Sequence, residues 1–388
     1  SQPSVRVLAG SYGRAGASAA AGFGDDDRGM GVTAGYQRPD GFSATNPDSV
    51  FSYDPDRDGY RNRNLSLRGR TALGSQRLAF SAISTDADVE FDRGQTNARN
   101  TSAGVTLGGD LRQGWSHQLT LGHAREDLDT ASSFSNQFQS RRTSLDWLNS
   151  LEAGADATLS FGLNWQRENG ASQNIFNGEL FDQQRTSQAA FLAYGGRFGD
   201  HVLDLSVRRH DSDQYGRATS GNAGWGWSPS ERTRLRMSWG EGFRAPNFNE
   251  LFYPDTGFGV AGNPDLRPES SSTWEAGLAF EPAAGQQLAL SLYQSRVRDL
   301  IAFAAPLTNN AININRAELE GVELEYRLVR GGWTAGGNLA WQLGHNDFAP
   351  RDQISTYMGI HVTLTGVRGA FAPFLGMAVG AAVGGVSG

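Results

Sequence analysis

The residues best placed to do chemistry are three aspartates at alternate positions, Asp54, Asp56 and Asp58, in the run Asp54-Pro55-Asp56-Arg57-Asp58-Gly59. Carboxylates spaced by two on a turn that glycine closes can bring hard oxygen ligands together, and Ca²⁺ is the ion such a set suits. The run is not an EF-hand. Its twelfth position is Leu65 rather than glutamate, so the remaining ligands must come from elsewhere, and the alternative is a solvated acidic turn. A second group, Asn247, Asn249, Glu250 and Asn263 beside Pro264, offers polar side chains that could meet a small-molecule substrate. The same residue types are what an inward-folded loop uses to satisfy its own backbone. Catalysis has no comparable footing. The six histidines are scattered and cysteine is absent, and no residue has zinc-site spacing or lies in a nucleophile elbow. The chain is therefore expected not to be an enzyme.

Both groups lie in connections between two-faced strands. Leu235, Met237 and Trp239 alternate with Arg234, Arg236 and Ser238, and Trp274, Ala276, Leu278 and Phe280 alternate with Thr273, Glu275, Gly277 and Ala279. A period of two puts an apolar face opposite a polar one. The pattern begins at Val5, Val7 and Ala9 and repeats through Leu159 to Trp165 and Val322 to Leu328. Turn signals fall at 24–29, 73–75, 108–110, 153–155, 198–200, 228–230, 283–285 and 330–332. Their spacing leaves room for two strands of about ten residues and one long loop on the opposite side. Strands charged at every second position cannot bury both faces. One face must be wet along nearly the whole chain, and short turns on one rim with long polar loops on the other predict an antiparallel transmembrane β-barrel of the outer-membrane type. Roughly seventeen strands are expected by this period-two reading, whereas single-chain bacterial barrels have even counts.

Composition agrees. Of 388 residues 50 are glycine, nearly double the usual share of roughly 7%. The net charge of −7 comes with arginine as the basic residue throughout and no lysine, so no basic patch points to nucleic acid. Mean hydropathy is −0.46, and no run of about twenty apolar residues precedes the last forty positions, which excludes helical spans from the body of the chain. The first residues, Ser-Gln-Pro-Ser, carry neither Met nor a leader, as in a mature, trimmed or partial N-terminus. Residues 1–345 are assigned to barrel strands and loops. Residues 346–388, where the alternation fades, are assigned to an atypical tail, truncated or frame-shifted.

The segments GFRAPNFNELF and GNPDLRPESSSTWEAGL resemble the signature of TonB-dependent outer-membrane receptors. The longer order from His210 to Phe252 is most similar to the cobalamin-receptor branch. The likeness runs from about Val5 to Leu343. It implies part of a 22-stranded barrel without its plug domain and about five strands short after Leu343. It also implies the outer membrane of a Gram-negative bacterium, import of cobalamin or a related corrinoid, TonB as partner of the full-length protein, surrounding outer-membrane lipid, and a monomer. Siderophore or haem uptake, or a passive porin-like barrel, are the alternatives. The resemblance further implies calcium in a long extracellular loop, carried here by Asp56 and Asp58, with Asp54 joining them and Asp40 as an additional ligand. Arg234, Arg236, Glu323, Glu325 and Arg327 would form a charged ladder on the inner wall.

Overall fold

The computed structural model describes residues 2–346 apart from 26, 44, 49–52, 134, 256–260 and 304–309. The tail assigned to 346–388 lies, from residue 347, outside them. The strands are β1 (Ser4–Ala9), β2 (Ala15–Gly24), β3 (Arg28–Arg38), β4 (Tyr60–Leu73), β5 (Gln76–Phe91), β6 (Gly94–Arg112), β7 (Trp115–Ala131), β8 (Asn136–Glu152) and β9 (Ala157–Asn174). They continue as β10 (Gly178–Phe198), β11 (His201–Ser212), β12 (Gly216–Ser230), β13 (Thr233–Arg244), β14 (Glu269–Phe280), β15 (Gln286–Phe303), β16 (Ala311–Arg330) and β17 (Trp333–Asn346). One short helix, α1 (Phe248–Phe252), interrupts them. Each strand pairs antiparallel with the next in sequence, from β1–β2 to β16–β17, so all seventeen form one meander.

The alternation seen in the sequence is the alternation of faces. One row of the ladder joins Leu119, Trp147, Leu163 and Ala190 across β7 to β10, and this face carries large apolar groups in the open, with Leu163 at 55%, Leu121 at 52% and Met237 at 50% exposure. The opposite face carries Asp146 and Asn164, hydrogen-bonded at 2.6 Å, and Arg236 paired with Glu275 at 2.7 Å. The polar face is the concave one. Arg185 of β10 reaches the carbonyl of Pro246, while Arg244 at the end of β13 grips Glu250, so walls three strands apart touch the same short segment from the same side.

Most expected turns are found, at Gly74-Ser75, Gly199-Asp200 and Gly331-Gly332 among others. Two are displaced. At 108–110 the ladder runs on through a bulge between Asp110 and Arg112, and the chain turns instead at Gln113-Gly114. At 228–230 the register shifts after Trp227 and the reversal comes at Glu231-Arg232. The loop-side connections also differ from expectation. Only two residues join β5 to β6 and three join β9 to β10, because the strands run up to 21 residues, well past the span of about ten that a bilayer needs. Continued pairing satisfies the backbone. Outward residues beyond the apolar band pair across strands, Arg61 with Asp88 at 3.0 Å and Arg99 with Asp86 at 3.2 Å.

Candidate functional site

The acidic run lies where the sequence placed it, in the connection from β3 to β4. That loop is clipped at its base. The Glu90 N–H donates to the Gly59 carbonyl at 2.9 Å, one step beyond the Tyr60–Val89 pair, which brings the end of the loop beside the β5–β6 turn. Asp56 and Asp58 thereby meet Asp92, one carboxylate oxygen from each lying within 4.8 Å of the others. Asp92 occupies the first position of the two-residue turn, with Arg93 following in left-handed conformation at φ 62°. Both Asp92 carboxylate oxygens are shielded from solvent and accept no hydrogen bond from the described residues. A buried carboxylate left so is costly unless a cation or a proton joins it, so this donor set fits a hard divalent ion.

The geometry sorts the expected ligands. Asp54 is not in the group of three. Its carbonyl accepts from the Ser43 hydroxyl at 2.9 Å, and its charge acts on Asp56 from a distance. Asp40 is taken up by Arg38 and Arg57 at 3.6 and 4.0 Å. Desolvation by the surrounding loop, followed by repulsion from Asp54, Asp58 and Asp92, pushes the Asp56 carboxyl above its ordinary value. Gly41 supports the arrangement. It sits at φ +71°, and a Cβ there would fall on the Asp58 carbonyl. Gly41→Ala is therefore expected to strain the backbone by about 1–2 kcal/mol and, if the three carboxylates hold calcium, to weaken that binding by roughly five- to thirtyfold, read by calcium titration.

The second group forms a structural clamp. Arg244 donates to both oxygens of Glu250 at 3.0 Å and to both of Glu269 at 2.8 Å. Glu250 closes a capping box with Asn247, each side chain bonded to the other's N–H at 2.8 Å, which starts α1. Asn263 donates to the Ala311 carbonyl at 3.0 Å and accepts from the Asp265 N–H. Asn247, Glu250 and Asn263 are thus bonded within this segment and to the strands beside it, and the Asn249 side chain is exposed. Beneath the clamp lies a small core of Leu251, Leu266, Ile301 and Ala311. On the far side Arg185 pairs with Glu168 at 2.6 Å and stacks over Phe248. Phe248 in turn fills the space over Gly170. Of the charged inner-wall residues, Arg236 finds Glu275 as its partner; Glu323 shares its ladder row, separated by Gly277 and Ser291.

A single antiparallel meander, apolar on its convex face and polar on its concave one, with a loop folded against the inner wall, is a transmembrane β-barrel of outer-membrane type. The chain belongs to the TonB-dependent receptor-like β-barrel family, whose model matches residues 10–372. It is an outer-membrane protein of the Gram-negative kind. It is 26% identical over 327 residues to the vitamin B12 transporter BtuB of Photobacterium profundum and 28% identical over 337 residues to that of Vibrio vulnificus. These cover 80% and 78% of the chain, which spans about half the length of each relative (51% and 52%). Among solved structures it is similar to the haemophore receptor HasR of Serratia marcescens (TM-score 0.72, 16% identity, 89% of this chain and 63% of that one). The siderophore receptor PirA of Pseudomonas aeruginosa is likewise similar (TM-score 0.68, 17% identity, 86% and 63%). The curated relatives are transporters rather than enzymes.

Proposed function

We propose that this chain is barrel wall of a TonB-dependent receptor that imports cobalamin or a related corrinoid, with calcium ordering its outer loops. The observation that carries the reading is the likeness, over about four fifths of the chain, to proteins named as vitamin B12 transporters. The cluster of Asp56, Asp58 and Asp92 supports it. In the complete receptor a plug coupled to TonB would admit the ligand that the loops capture.

The chemistry falls to the chain's own carboxylates. A bound calcium ion would supply positive charge among three carboxylates that otherwise repel. Asp56 and Asp58 belong to the long β3–β4 loop and Asp92 to a rigid two-residue turn, so satisfying them together fastens the loop to the wall. A loop ordered beforehand costs the ligand less entropy on binding.

The test is cyanocobalamin binding to the full-length receptor in outer-membrane vesicles, with calcium and again with a chelator, across a pH series. Tight binding that needs calcium is the expected result. Its pH dependence follows from Asp56. A carboxyl whose folded value is raised holds its proton more tightly in the folded cluster. Without calcium the loop is then most stable below that raised range and loses this stability as pH rises through it. Calcium competes with the same proton, so calcium affinity should rise with pH through the range and level off above it. Absence of cyanocobalamin binding in both conditions would sink the corrinoid reading and redirect the search to iron chelates and haem.

A further inference from the structure

We infer that the convex face of β7 to β11 carries a binding site for a phosphate-bearing lipid of the outer leaflet, with its head group on Arg141, Arg167 and Arg209 and an acyl chain in the groove beneath. The groove, about 560 Å³, is lined by Leu119, Trp147, Leu163, Trp165 and Ala190, with Arg209 at its upper end. Its shape comes from one small side chain. Ala190 lies in the same ladder row as Leu163 and Trp147, so β10 is recessed where its neighbours carry bulk.

The arginines lie along a line that the ladder does not make obvious. Arg209 pairs with Ala190, Arg167 with Thr186 and Thr143, and Arg141 with Asn169. Counting rows upward from Leu163, Arg209 is level with it, Arg167 is four residues higher on β9, and Arg141 on β8 pairs two residues above that, with Asn169. In a barrel whose strands tilt by roughly 35–45° a ladder row climbs across neighbouring strands. The three arginines therefore track the upper border of the apolar band, where head groups lie.

Their charge is available. Arg125 and Asp127 neutralise each other at 2.7 Å, and Asp211 is held by Arg217 at 3.1 Å. Arg141 and Arg167 touch only the amide oxygens of Gln139 and Gln184, and all three arginines are exposed. Among the described residues none of them pairs with a carboxylate. Unpaired guanidinium forks directly above an apolar groove match a phosphate above acyl chains, and the planar fork suits phosphate geometry. Membrane lipid is the occupant because this face is the one turned to the bilayer.

The experiment uses purified full-length receptor in detergent, titrated with diphosphoryl lipid A and with monophosphoryl lipid A and read by native mass spectrometry. Cold and heated gel mobility confirms that each variant is folded. Wild type is expected to bind the diphosphoryl form more tightly. Arg141→Gln, Arg167→Gln and Arg209→Gln together should weaken it about a hundredfold, on the order of fivefold for each arginine at an anionic surface, and should abolish the preference. Ala190→Trp should weaken both forms equally and leave the preference intact. Equal binding of the two lipids by wild type, or unchanged binding by the triple variant, would overturn the assignment. So would a receptor dimer that Ala190→Trp splits, since a second copy would then cover the groove.

Discussion

Arg244→Ala is expected to release the inward-folded loop while leaving the strands intact. Among the described residues the arginine is the only cation that pairs with both Glu250 and Glu269, whose side chains are 11% and 12% exposed. Removing one partner of a buried, hydrogen-bonded ion pair costs about 3–5 kcal/mol because the other charge stays buried. Arg244 itself is 45% exposed, so about 2–3 kcal/mol is the appropriate size here. That corresponds to roughly thirty- to hundred-and-fifty-fold faster amide exchange at Leu251, Gly262 and Asn263, whose N–H groups bond within the loop. Hydrogen exchange on the receptor reads it directly. The Ile301 N–H, which donates to Glu269 at 2.7 Å, should loosen with them. Exchange that is unchanged in this segment would show that Arg185, bonded to the Pro246 carbonyl at 2.9 Å, holds the loop instead. Arg244→Lys keeps the charge but cannot serve two carboxylates with paired N–H groups, so it should fall between the two.

The second large effect is expected at Asp92→Asn, and its sign depends on calcium. Without the ion, one of three mutually repelling charges is gone and the β3–β4 loop should become more ordered. With the ion, a ligand charge is lost, and calcium affinity should fall about ten- to hundredfold, since charge count tunes oxygen sites over orders of magnitude. Asp56 also loses one of the neighbours that raise its carboxyl. The pH range over which calcium affinity rises should therefore move down. Calorimetric titration of both forms decides the matter, and equal calcium affinity would remove Asp92 from the site. If the corrinoid reading holds, the variant should also bind cyanocobalamin with little response to calcium.

Local sequence determined the strands and their faces, because side-chain period follows from backbone pleat wherever a strand forms. Leu235, Met237 and Trp239 fall on one face, as their spacing requires. Glycines at Gly74, Gly199 and Gly331 mark reversals because each has a positive φ. Gly108 and Gly109 look the same in the sequence but lie within β6, since a ladder with partners on both sides can absorb glycine through a bulge. The long strands were equally hidden. Arg61, Arg63, Asp86 and Asp88 resemble loop residues by polarity, and only their cross-strand pairing keeps the sheet continuous past the apolar band.

The candidate sites divide in the same way. Asp56 and Asp58 were legible because their spacing is local. Asp92 was not, since it becomes their neighbour only through the β4–β5 ladder and the two-residue turn beyond it. The Asn247–Glu250 box was written in the sequence as a capping signal, yet the grip of Arg244 on both Glu250 and Glu269 needed the β13–β14 register. The three arginines above the groove share no motif at all. They are brought into line by the pairing and tilt of neighbouring strands, a property of the assembled sheet that no stretch of chain carries by itself.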